Sequence, residues 1–295
     1  MTQLTVQERE ALMADMRSFD EPEVIDIYHG SPKVIEQPVF GEGKVHNDYG
    51  RGFYCTEHAE LAKEWACSSD NDGYANRRTK QEQRPSSLGL CLARRRKTIV
   101  NHYQLETKGL TVLNLNTPEY NILNWLAILL ENRKFNVAEG LPQRARAYIL
   151  ENFKVDYKKY DIIIGYRANR RSKQEQRPSS LGLCLARRRK TIVNDSYFSY
   201  AGDFVNGTLS LSDLSEAMRL GKLGELVVLK SKKAFDSLTF VEAIKASRQE
   251  YFAKYKQRDE EARGKYRQIA SKPLAESEIY VIDIIRNNWK NGQGI

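Results

Sequence analysis

Short apolar runs with polar edges alternate along this chain with segments whose apolar residues recur every three to four positions. That mixture predicts strands interleaved with amphipathic helices, an α+β fold. Val24-Ile25-Asp26-Ile27-Tyr28 reads as a strand that runs into the polar edge His29-Gly30-Ser31. After Thr56, Glu57 and the series Leu61, Ala62, Trp65, Ala66 predict a helix capped by the threonine hydroxyl. A strand is expected through Tyr74, resuming at Tyr103 to Leu105, and another at Thr111 to Leu115. Thr117-Pro118 marks a helix start, and Ile122, Trp125, Leu126, Leu129 and Leu130 carry that helix to about Arg133. A second helix is expected over 142–153 and a buried strand over 161–166, followed by short helices over 196–206 and 212–222. Glu225-Leu226-Val227-Val228-Leu229-Lys230 reads as another buried strand, and residues 241–269 as one long polar helix stopped by Pro273. Ile279 to Ile285 is read as a final strand or short helix, and residues 5–17 as a helix that precedes the main body of the fold. The division expected is therefore an N-terminal helical extension, 1–22, and a single domain, 23–295.

One feature departs from this pattern. Residues 76–101 read NRRTKQEQRPSSLGLCLARRRKTIVN, and residues 169–194 repeat them with Ser172 in place of Thr79. Solenoid repeats keep a pattern while their surfaces drift, so near-identity in two unrelated contexts indicates a recently inserted element. Removing each copy but one Asn leaves Gly73-Tyr74-Ala75-Asn-His102-Tyr103 and Gly165-Tyr166-Arg167-Ala168-Asn-Asp195-Ser196, both of which read as uninterrupted protein. Two inserted basic loops, at 76–101 and 169–194, are the expectation. Loop insertion is thermodynamically mild, at about 0.6 kcal/mol per doubling of loop length.

The repeats also decide what the charge means. The chain carries a formal +9, yet each copy holds eight Lys or Arg and one Glu, so the rest of the chain stands at 9 − 14 = −5. Arg94-Arg95-Arg96-Lys97 offers phosphate contacts but has no aromatic residue beside it for base stacking. Nucleic acid is thus a partner through the inserts alone, or the inserts are passive solvated loops. No stretch reaches the roughly 18 to 20 uninterrupted apolar residues of a membrane span, and Glu8, Glu10 and Asp15 argue against a signal peptide, so a cytoplasmic protein is expected. Cys55, Cys67, Cys91 and Cys184 have neither zinc-site spacing nor the density of a disulfide scaffold.

The candidate chemistry lies in two stretches, Tyr28-His29-Gly30-Ser31 and Asp48-Tyr49-Gly50-Arg51-Gly52-Phe53-Tyr54-Cys55-Thr56. The glycines before Phe53 and Tyr54 let the backbone bend and approach a ligand where a β-carbon would block it. An imidazole, bare backbone groups, a hydroxyl and a tyrosine ring suit a planar amide attached to a sugar.

At these residues the chain resembles the ADP-ribosyltransferase superfamily, in the diphtheria-toxin and poly-ADP-ribose-polymerase branch with its His, Tyr and Glu on separate strands. More closely, Tyr28 to Ala66 resembles a bacterial domain family usually counted in that superfamily, and the likeness extends discontinuously to about Arg286. The resemblance implies split, mostly antiparallel sheets with flanking helices, and NAD as co-substrate without a metal. His29 would then hold the adenosine ribose, the Gly30 backbone and Ser31 hydroxyl the nicotinamide end, and Tyr54 would stack on the ring; Gly52 and Phe53 complete the cofactor-binding set, and His29 and Tyr54 count with Glu225 as the catalytic residues. Glu225, at the start of its strand, takes the catalytic place, with Glu216 and Glu242 as alternatives; Leu226 departs from the glutamine frequent there in the bacterial family. Transfer of ADP-ribose to a protein or nucleic-acid acceptor is implied, in a toxin-like or phage-defence role beside an antitoxin. A nucleic-acid-binding protein and a catalytically silent NAD or ADP-ribose scaffold are the competing readings.

Overall fold

A computed structural model describes residues 24–68, 98–133, 139–165, 197–218 and 226–292. Two sheets organise them. Strand β1 (Val24–Ser31) pairs with β3 (Ile99–Glu106), and β3 with β7 (Leu238–Lys245), both antiparallel, giving the order β1-β3-β7. The second sheet runs β2 (Phe53–Cys55), β6 (Leu226–Leu229), β5 (Ile162–Gly165), β4 (Val112–Asn114). Its β4-β5 pair is parallel and the others antiparallel, so the sheet is mixed.

Alternation along the strands makes two cores. Ile25, Ile27, Tyr103 and Leu105 of the first sheet meet Ile162, Ile164, Val227 and Leu229 of the second. The other face of the second sheet, with Leu113, Ile163, Leu226 and Val228, packs against helices. Those include α2 (Ile122–Asn132), α3 (Leu141–Asn152), α4 (Tyr197–Val205) and α5 (Leu211–Met218). Helix α1 (Ala59–Cys67) lies against β1, and α7 (Arg248–Ala270) against α1; α6 (Lys232–Asp236) and α8 (Val281–Arg286) are short.

Several expected boundaries move, each for a visible reason. Helix α1 starts at Ala59 with His58 at its N-cap; Thr56 is fully buried, bridges Tyr28 through both backbone groups, and accepts from the His58 amide at 3.3 Å. Thr117-Pro118 forms a turn, and α2 begins after Asn121, whose side chain accepts from the Asn124 amide while its own amide donates to Asn124 Oδ1, a capping box. The long polar helix begins only at Arg248, because residues 238–245 complete the first sheet. Arg258 reaches Glu64 of α1 at 2.7 Å, and Glu64 is buried, so this pair joins two helices and is not an ornament of the surface. The expected helix at 5–17 lies outside the described residues.

The largest correction concerns the first repeat. Its last residues are not loop: Ile99, Val100 and Asn101 form the start of β3, opposite Ser31, Gly30 and His29. The β-branched run Thr98-Ile99-Val100 suits a strand, and all three residues are buried. Asn101 is fully buried; its amide donates to the Lys33 carbonyl at 3.2 Å and accepts from the Ile35 amide at 2.9 Å, fastening the segment that follows the His-Gly-Ser motif. The remainder of that copy, and all of the second, lie outside the described residues.

Candidate functional site

The two motifs meet where the sheets meet. Each backbone group of Tyr28 bonds to Thr56, at 2.8 and 3.1 Å, which ties β1 to the residue just past β2. One residue on, His29 Nδ1 lies 2.8 Å from the Tyr54 carbonyl, and the His29 ring stacks on Phe53 with centroids 4.4 Å apart. A carbonyl only accepts, so Nδ1 carries the proton and Nε2 is left as the acceptor of the neutral ring. Burial pulls the His29 pKa below its ordinary value, opposed by the bond to Tyr54.

That shift has a consequence for stability. Between the ordinary histidine value of about 6.5 and the lowered folded value, the unfolded chain takes up a proton that the folded one refuses. The His29 contribution is therefore full above that window and is lost as pH falls through it. Urea unfolding on the acid side of neutrality should show the loss, and His29→Gln should flatten that part of the profile; an unchanged slope would assign it to other groups.

Strand alternation sets what Gly30 presents. Tyr28 turns its N–H and C=O away from β3, towards Thr56, so Gly30, two residues on, turns its own pair to the same side, past the bridge. A side chain there is impossible without displacing α1, since a β-carbon on Gly30 would lie 2.5 Å from the Ala62 carbonyl and 2.7 Å from the Ala66 amide. Ser31 is buried, and its hydroxyl accepts from the Lys33 amide at 3.2 Å.

The glycines of the second motif answer to the protein before any ligand. Gly50 has φ +73°, and a β-carbon there would sit 2.5 Å from Asn132 Oδ1; one on Gly52 would meet the Leu229 carbonyl at 2.8 Å. The turn they form is held from several sides. Tyr54 donates its phenol to the Gly50 carbonyl at 2.6 Å and accepts from the Tyr49 amide at 3.1 Å. Buried Asp48 accepts from Arg133 Nε of the α2 C-terminus at 2.9 Å, and the Trp125 indole donates to Tyr49 Oη at 2.6 Å. Lys230, just past β6, donates to the carbonyls of Tyr49 and Arg51. Asp48 and Tyr49 stand in the second motif with no role legible from sequence, and Asn101, Arg133 and Lys230 lie outside both motifs, because the partners of all five lie in other elements. Only the DYGRGFY spacing hinted at a tightly built turn.

Tyr54 is half-buried, and burial, followed by the nearby Asp48 carboxylate, pushes its pKa far above the tyrosine range, so the phenol stays protonated. Glu225 lies outside the described residues; in the sequence it immediately precedes Leu226, the first residue of β6, and β6 pairs with β2 at Tyr54↔Val228. Of the alternatives, Glu216 on α5 lies 3.7 Å from Lys272, and Glu242 on β7 lies 3.9 Å from His102. No group of three or more His, Cys, Asp or Glu able to hold a metal occurs among the described residues, and no helix there is long and apolar enough to cross a membrane.

Searches of curated proteins and of solved structures return no significant match. One family model does match, described as "Protein of unknown function (DUF3990)", over residues 25–175. That span is 151 of 295 residues, just over half the chain. It takes in β1 from its second residue, β2 to β5 and both motifs, and stops short of β6, β7 and Lys230. The His-Gly-Ser strand and the glycine turn thus sit inside the matched region, and the chain belongs to the DUF3990 family.

Proposed function

We propose that this protein is an NAD-dependent ADP-ribosyltransferase acting on a macromolecular acceptor, with a fold of the ADP-ribosyltransferase kind. The observation that carries the reading is the meeting of His29 and Tyr54, 25 residues apart, at the seam of two sheets, with the Gly30 backbone pair turned out of its ladder beside them. A donor and an acceptor spaced as in one residue of a strand match a carboxamide. An imidazole Nε2 acceptor matches a ribose hydroxyl, and a half-buried aromatic ring matches a planar heterocycle.

These residues bind and orient; Glu225 would act on the reacting sugar. Breaking the nicotinamide–ribose bond develops positive charge on the ribose ring, and a carboxylate beside it stabilises charge that appears only in the transition state. Glutamate also serves as general base towards an acceptor hydroxyl or amine. Toxin-like action beside an antitoxin, or in phage defence, is a role in keeping with such an activity. Incubation of the protein with a labelled NAD analogue and cell extract, followed by separate protease and nuclease digestion, tests the reading and names the acceptor class. No transfer and no NAD binding would overturn it, whereas binding without turnover would leave an NAD scaffold.

The structure sharpens what Tyr54 variants should do. Tyr54→Phe keeps the ring and removes both hydrogen bonds that close the turn, while Tyr54→Ala removes ring and bonds together. Calorimetric NAD titration should show weaker binding in both, and weaker in Ala than in Phe by about tenfold, the scale of a buried aromatic contact. Equal affinities would mean that the ring makes no contact with the cofactor.

The basic inserts support a second reading, polyanion binding, through their net +14. It is independent of the His29–Tyr54 seam and is separated from the first by the deletion variant below.

A further inference from the structure

We propose that Lys230 is a positioning residue of the candidate site, whose ammonium group sets the shape of the turn between Tyr49 and Gly52 and through it the placement of Tyr54. The proposal rests on the reading of this seam as an NAD site, and adds to it a residue that neither motif contains.

Lys230 follows β6 directly, and its amide donates to the Asp161 carbonyl at 2.8 Å, so its backbone is fixed by the second sheet. Its side chain then crosses the open side of the glycine turn. Nζ donates to the Tyr49 carbonyl at 2.5 Å and to the Arg51 carbonyl, and lies 5.8 Å from the centroid of the Tyr157 ring. The chain passes where side chains on the turn would stand: its Cδ comes within 3.3 Å of a β-carbon built on Gly52, and its Nζ within 3.7 Å of one on Gly50. The two carbonyls flank Gly50, whose own carbonyl accepts from the Tyr54 phenol. Lys230 and Tyr54 therefore hold three successive carbonyls from two directions.

The partners of this ammonium are neutral acceptors, and its charged surroundings do not favour it. Lys158 repels it from the turn at Tyr157–Lys159, and is itself paired with Glu131 at 2.6 Å; Arg51 belongs to the turn, and Asp48 is engaged with Arg133. Burial, with a smaller part from Lys158, brings the Lys230 pKa down to about 8. The fold thus keeps a cation where water would stabilise it better. An apolar side chain of similar length would relieve that desolvation, so stability alone does not call for lysine here. What methionine lacks is the pair of charge-assisted bonds to the turn.

The test is Lys230→Met in the full chain, read in three ways. Amide exchange over residues 49–52, measured without NAD, should speed up by about tenfold to 100-fold relative to wild type, the scale of losing charge-assisted hydrogen bonds. The Tm should stay close to wild type, and the dissociation constant for NAD should rise by about tenfold or more. Unchanged exchange in the turn overturns the proposal, whatever NAD does. A lower Tm with faster exchange spread over β5 and β6 also overturns it, because it marks a plain structural role. Faster exchange confined to the turn, in a protein whose wild type binds no NAD, keeps the clamp and removes the ADP-ribosyltransferase reading instead.

Discussion

Glu225→Gln should leave the fold and NAD affinity nearly intact and lower NAD turnover by roughly 100-fold or more, the scale for losing one transition-state electrostatic partner. The substitution keeps the size and hydrogen-bonding reach of the side chain and removes only its charge. Charge matters in the step where the ribose becomes cationic and little when intact NAD binds, so the loss should fall on kcat and not on KM. The position in the chain supports this assignment. In the sequence Glu225 immediately precedes Leu226, the first residue of β6, and β6 is the strand that pairs with β2 through Tyr54↔Val228. Glu216 and Glu242 serve as controls, since they lie beside Lys272 and His102. Single-turnover measurement of nicotinamide release decides it: turnover equal to wild type in the Gln variant would remove Glu225 from the chemistry.

Deleting residues 77–101 and 170–194 should abolish most binding to polyanions and leave NAD turnover in place. The electrostatic half follows from the change of formal charge from +9 to −5. The structural half is more demanding than excision of two loops, because the first copy ends inside β3. Asn101 lies opposite His29, with its buried amide holding the Lys33 and Ile35 backbone. The deletion joins Asn76 to His102, so an asparagine again directly precedes His102 in the chain, the place Asn101 holds in the register opposite His29. An element bounded by Asn at both ends can thus be present or absent without emptying that position. A shortened protein with wild-type thermal stability and NAD turnover, and with heparin binding lost, is the expected result. A folded variant without turnover would make the basic segments part of the site, and Asn76→Ala in the shortened protein should then be compared with Asn101→Ala in the full chain to see whether the buried amide is at fault.

The sequence by itself determined the α+β class, the buried strands β5 and β6, the two motif strands and most of the helices. Each of these is written in local periodicity, and burial of a face follows from it. It also determined that the charge belongs to the repeats, which is arithmetic. What it left open was decided by partners far along the chain. Residues 241–245 read as the start of a polar helix, because their polarity fits a solvated face; only pairing of Leu238–Lys245 with β3 makes this stretch a strand. Thr56 has the chemistry of a cap, but its backbone is taken by Tyr28, and the helix starts two residues later. The repeat looks like an insertion throughout, yet its β-branched tail is recruited as sheet because β1 and β7 offer edges on both sides. The glycines of the second motif read as room for a ligand, and the tertiary structure shows the backbone of β6 and the side chain of Asn132 using that room. Asp48, Arg133 and Lys230 carry no periodic signal at all. They come from a loop, a helix end and a strand end, and act on one turn only because a long cationic side chain reaches across a packing distance that no sequence spacing encodes.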